Sequence, residues 1–169
     1  MKLTIYRIFS FLLLPIAVLF SMGVLTVFRA AFANPLLFIP IFFSASIAIY
    51  TFASLNFLIR GIDGKKLLGR TSKDWLIVNA LVSIIYALTA IAQRFLVAIY
   101  PEVLKQYADN MKENAGSESA ITSAQILQYL NGVSYFLLIY GMVLFIHIIF
   151  SFYYIKKYNY LFKEAKSGS

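Results

Sequence analysis

Charge is almost absent from four long stretches of this chain, roughly 8–28, 36–58, 76–99 and 133–155, and is gathered in the segments between them. A bilayer core about 30 Å thick takes about 20 mainly apolar residues per helical crossing. Each stretch meets that length, so the pattern predicts four membrane-spanning helices. No segment remains for a separate water-soluble domain, and the longest polar connection is about 101–132. The expected architecture is all-α: one integral membrane four-helix bundle over residues 1–169, with a small extracytoplasmic helical hairpin between helices three and four.

Local signals place the ends. Pro15 removes a backbone donor inside the first span and should kink it. Asn34-Pro35 makes a short turn, so the first two spans are antiparallel neighbours, and Pro40 falls in the first turn of the second, where it costs little. Thr71 or Ser72 is a plausible N-cap for the third span, with Asp74 in its first turn. Trp75 would then lie at the head-group level. In the long connection, Val103, Leu104, Tyr107 and Met111 recur at one-face helical spacing. Asn114-Ala115-Gly116-Ser117 reads as a turn. Thr122 or Ser123 can cap a second short helix carrying Ile126, Leu127 and Leu130, which either bends at Asn131-Gly132 or runs straight into the fourth span.

Composition agrees with the pattern. Of 169 residues 61% are hydrophobic and 13% charged, against about 25% charged in an ordinary soluble domain. Too few polar residues exist to clothe a water-facing surface. There are no cysteines, which excludes disulfides, thiolate metal sites and cysteine nucleophiles.

The net charge of +8 matters through its distribution. With four crossings, both termini and the loop at 59–75 share one side. That side carries eleven Lys and Arg: Lys2, Arg7, Arg60, Lys65, Lys66, Arg70, Lys73, Lys156, Lys157, Lys163 and Lys166. The other carries four: Arg29, Arg94, Lys105 and Lys112. Basic residues in short loops stay on the cytoplasmic side, so both termini are expected in the cytoplasm and the chain in a plasma (inner) membrane, with a bacterial source. The basic loop (Arg60, Lys65, Lys66, Arg70, Lys73) is read as a topology signal with a modest attraction for anionic head groups. Its Gly61-to-Lys66 segment looks faintly like a phosphate loop, but the glycine spacing is wrong and Lys66 stands where Ser or Thr is needed. Lys2, Arg7 and Ala31-Phe32-Ala33 resemble a signal peptide with a cleavage site. The apolar run exceeds the usual 7–15 residues and Arg29 adjoins the site, so an uncleaved first helix is expected.

Ionisable groups inside a span are candidates for function, and here they are Arg94 and His147. On the third span Asn79, Ala80, Ser83, Ala87, Ala90 and Arg94 fall on one face, and Ile77, Leu81, Ile84, Ile85, Leu88, Ile91 and Phe95 on the other. Small residues let helices approach closely in lipid, so the first face should pack and the second meet lipid. Arg94 can snorkel to the head groups, contact an anion with Gln93 and Arg29, or bond a carbonyl. Tyr140, Ser151 and Tyr154 fall near His147 on the fourth span, while Asn56 and Asn79 sit at the same depth on the second and third. These polar residues are expected to hydrogen-bond between helices and set their register; a proton-relay or substrate role is the sharper alternative.

No catalytic or cofactor-binding residue is assigned. One histidine and no cysteine make zinc and haem ligation poor readings. The acids lie outside the apolar cores, so neither a Ser-His-Asp set nor paired carboxylates can be assembled. Twelve Tyr and sixteen Phe resemble nucleic-acid stacking residues, but most fall in the spans or their interfacial belts, and no nucleic-acid partner is expected. The first expectation is therefore a non-enzymatic accessory protein or complex subunit, contacting lipid, a protein partner or further copies of itself. The second is a small oligomeric transporter or channel using the Arg94 and His147 regions. The third is a lipid- or quinone-linked membrane enzyme.

Overall fold

The structure, a computed structural model, describes residues 3–114 and 121–163. Lys2, Lys166 and the expected turn residues Ala115, Gly116 and Ser117 lie outside them. The described chain is almost wholly helical. Helix α1 is Leu3–Ala31, α2 is Phe38–Asn56, α3 is Arg70–Ile99, α4 is Pro101–Asn114 and α5 is Ser123–Lys157. Counting the turns that flank α2, the four long segments hold 29, 29, 30 and 35 residues, and each is long and apolar enough to cross a membrane. At about 1.5 Å per residue, each exceeds a hydrocarbon layer of about 30 Å.

Helix α1 continues through Pro15. It leads through Ala33 into a short 3₁₀ turn, Pro35–Leu37, whose N-cap Asn34 accepts the Leu36 N–H at 3.2 Å. Two boundaries differ from the sequence pattern. Helix α2 does not end near 58: it widens into π-helical turns, Phe57–Asp63, so Arg60 is helical rather than part of a loop. Gly64 closes these turns, donating to Ile59 O at 2.9 Å. A Cβ on Gly64 would lie 2.8 Å from Arg60 O, so only glycine fits. Helix α3 begins at Arg70, upstream of the expected caps, and Thr71, Ser72 and Lys73 lie within it. Its start follows a two-residue strand, β1 (Leu68–Gly69), which pairs in parallel with β2 (Phe162–Lys163). That pairing holds the chain extended up to Gly69 and leaves a connection of six residues where the sequence suggested a long loop.

The long connection also differs. Helix α4 carries the expected stripe, but the second short helix is the first part of α5, which runs unbroken through Asn131-Gly132. A helix accepts a glycine at modest cost, and the hydrogen-bond ladder of a long helix carries through it.

The chain packs as two units, one formed by residues up to Tyr86 with those from Leu144, the other by Ala87–Val143. In the first, α1 lies along α2, and Phe20 and Phe43 both meet Tyr86 of α3 edge-on or tilted, with ring centroids 6.1 and 6.4 Å away. In the second, α3 and α5 approach closely where Gly141 faces Ala87: a Cβ there would lie 3.1 Å from the Ala87 carbonyl oxygen.

The burial pattern of α3 inverts that of a water-soluble helix. Asn79, Ala80, Ser83, Ala87 and Ala90 are buried with Leu76, while Val78, Leu81, Ile85, Leu88 and Phe95 are exposed. Water would drive the large aliphatic side chains inward. An apolar solvent removes that drive and leaves close packing of small residues as the favourable choice.

Candidate functional site

The polar residues of the first unit converge from three helices. On α1, Tyr6 and Ser10 are one turn apart and share the buried face with Leu13 and Ala17. On α2, Ser46, Tyr50 and Ser54 repeat every four residues, with Thr51 beside them, and all four are buried. On α5, His147, Ser151 and Tyr154 follow at steps of four and three residues, which keeps them on one face, and all are buried. Packing these faces together places an imidazole at the centre of a set of hydroxyls.

His147 is bonded through both ring nitrogens. Nε2 lies 2.9 Å from Ser10 Oγ and Nδ1 lies 2.7 Å from Tyr50 OH. Counting hydrogens sets the tautomer. Ser10 has one hydroxyl hydrogen, which it donates to Tyr6 O at 2.8 Å. Nε2 must therefore donate to Ser10 Oγ, and Nδ1 accepts from Tyr50 OH. Tyr50 OH also lies 2.8 Å from Ser151 Oγ, which in turn lies 3.2 Å from Tyr6 OH. The Tyr6 ring lies flat on the imidazole, with centroids 4.8 Å apart and planes 7° apart. Tyr154 covers the other edge of Tyr6 at 5.0 Å. Tyr6, Ser10, Tyr50, His147 and Ser151 are all 0% exposed.

The arrangement joins α1, α2 and α5 by directional bonds inside a sealed space. Both nitrogens of the imidazole are used, and the ring is 0% exposed. Chemically it can hold three helices in register.

Of the residues singled out from sequence, His147 and Ser151 meet here. Asn79 instead donates to Trp75 O of its own helix at 2.8 Å. Asn56 is half-buried and lines a 410 Å³ groove with Ser72, Trp75 and Phe162. Tyr140 is buried in the second unit, where its ring stacks on Phe136. Arg94, also in the second unit, places its guanidinium carbon 3.9 Å from the centroid of the Tyr135 ring. That is a close cation–π contact, with Arg94 half-buried and Tyr135 exposed. Among the described residues, no three His, Asp or Glu side chains come together as a metal site would require.

Tyr6, Ser10 and Tyr50 were not foreseen. Tyr6 precedes the apolar stretch of the first span, and single hydroxyls in an apolar run carry little weight. The repeat Ser46-Tyr50-Ser54 was a readable signal, a polar stripe on one face of an otherwise apolar helix.

The basic segment is more ordered than a loop. Lys65 adopts a positive φ of 50°, and Lys66 N–H donates to Arg60 O at 3.0 Å. Arg7 of α1 forms a salt bridge with Asp63. Lys73 donates to Asn159 Oδ1 at 2.8 Å and lies 6.0 Å from the Phe162 ring centroid. Gly61 lets the Leu68 and Phe57 side chains close in on α2's end: a Cβ there would meet their atoms at 3.0 and 3.1 Å. No family model matches this sequence, and no curated protein or solved structure is significantly similar to it.

Proposed function

We propose that this is a membrane-embedded, non-enzymatic accessory protein or complex subunit that works by contact with lipid or with a protein partner. The observation that carries the reading is the closed state of the His147 cluster. The one histidine of the chain, its most versatile chemical group, is spent on holding α1, α2 and α5 together. A substrate would need an opening to that ring, and the ring and its partners Tyr6, Ser10 and Tyr50 are 0% exposed. The four apolar helices and the outward Leu, Ile and Phe of α3 support residence in a bilayer. The eleven-to-four distribution of Lys and Arg supports cytoplasmic termini in a plasma (inner) membrane.

The test is mild detergent extraction from the native membrane, followed by crosslinking and size analysis. A defined complex with a second protein, or a stable homo-oligomer, is the expected result. A bare monomer that crosslinks to nothing would refute the subunit reading. Flux through reconstituted vesicles that vanishes in His147→Ala, with the fold intact, would replace it by transport.

A further inference from the structure

We infer that the groove lined by Lys73, Phe152, Ile155, Lys156 and Asn159 is a binding site for one anionic phospholipid. The inference rests on the membrane reading above and names the lipid that the surface would select. The groove lies between α3 and α5 at the basic ends of both helices and encloses about 320 Å³. Two ammonium groups border it. Lys73 is half-buried and steered by its bond to Asn159, which uses one of its three donors. Lys156 is exposed and lies in the last turn of α5. Below them Phe152 and Ile155 give an apolar floor that continues into the span. A phosphate between the lysines with an acyl chain over Phe152 satisfies both halves of the groove.

Among the described residues, the two nearest acids in the basic segment are placed elsewhere. Asp63 is engaged by Arg7. Asp74 lines a separate groove with Thr71, Trp75 and Val78. The lysine geometry is also held from outside the groove: the Leu68–Phe162 strand pairing and the Lys73–Phe162 contact fix the segment that carries Asn159. Basic pockets between helices on the cytoplasmic side are suited to anionic head groups. A zwitterionic lipid would bring its own cation against the two lysines.

The test uses the full chain. Flotation with phosphatidylcholine vesicles and resistance to alkaline extraction first check the membrane reading; a chain that stays in solution without detergent fails at that step alone. The purified protein is then titrated in detergent with phosphatidylglycerol or phosphatidylcholine, and bound lipid is counted by native mass spectrometry. Phosphatidylglycerol should form one preferred adduct. Lys73→Gln and Lys156→Gln should each weaken it about 5-fold, as expected for one juxtamembrane base, and the double variant about 25-fold. Lys65→Gln/Lys66→Gln removes the same charge from the neighbouring exposed segment and should change it less than 3-fold. Equal losses in the two double variants would reduce the effect to diffuse attraction and overturn the site. So would equal binding of phosphatidylcholine, or displacement by excess glycerol phosphate, which would identify a soluble anion as the occupant. Elution volume and thermal midpoint of each variant check that the fold persists.

Discussion

The His147 and Arg94 regions each hold one ionisable side chain within a long apolar helix, and the protein treats the two differently. His147 is fully enclosed and bonded at both nitrogens by groups that are themselves enclosed. Arg94 is half-buried, with its charge over the face of one exposed ring. The difference follows from the cost of burial. A polar group without water needs a partner for each donor and acceptor, because an unmade bond costs about 1–3 kcal/mol. An imidazole can be satisfied by two hydroxyls. A guanidinium with five donors and a full charge is far harder to enclose, so it stays where solvent or head groups can reach it. Enclosure also makes the partners interdependent: removing His147 takes one bond from each of Ser10 and Tyr50, which keep Tyr6 O and Ser151, whereas removing Arg94 costs only a ring contact.

The comparison can be broken most sharply at its centre. His147→Leu keeps most of the volume but removes one hydrogen bond from each of two buried hydroxyls, and should lower stability in detergent by about 2–3 kcal/mol. Thermal or denaturant unfolding measures it, and a change below about 0.5 kcal/mol would remove the claim that the cluster holds the helices. Gly141→Val tests the second unit by packing instead of polarity. Its added atoms would press on the Ala87 carbonyl, already 3.1 Å from a Cβ. The expected loss is about 2 kcal/mol, typical of overpacking, and wild-type stability would show that α3 and α5 separate freely there. Tyr50→Phe deletes one hydroxyl that serves both His147 and Ser151 and should cost about 1 kcal/mol. Combined with Ser151→Ala in a double-mutant cycle, it should be clearly non-additive, since the two share one bond. Arg94→Gln should have the smallest effect, about 0.5–1 kcal/mol for a partly exposed cation–π contact. Tyr135→Leu should lose the same amount, and an Arg94→Gln loss above about 2 kcal/mol would mean that Arg94 is as deeply engaged as His147.

The sequence made some of this legible and hid the rest for identifiable reasons. The four long helices could be read because each is an uninterrupted apolar run, a property of the local chain. The packed face of α3 was legible because small and large residues separate on the helical wheel. The π-helical end of α2 and the early start of α3 were not, because both depend on the return of Asn159–Phe162 against Gly61 and Leu68. The partners of His147 were only half visible. Ser151 shares its helix face, but Ser10 and Tyr50 become partners only when α1 and α2 turn particular faces toward α5.

By itself, then, the amino-acid order determined the helical class, the number of long apolar helices, and the gathering of basic residues in a few short segments. Those follow from hydrophobicity and charge summed along contiguous residues. Tertiary structure alone decided that His147 is enclosed and Arg94 is not, that the basic segment is tied to the end of the chain, and that Lys73 and Lys156 border one groove. Such outcomes depend on pairs of residues far apart in sequence, and hydrogen bonds and close packing act only over a few ångströms.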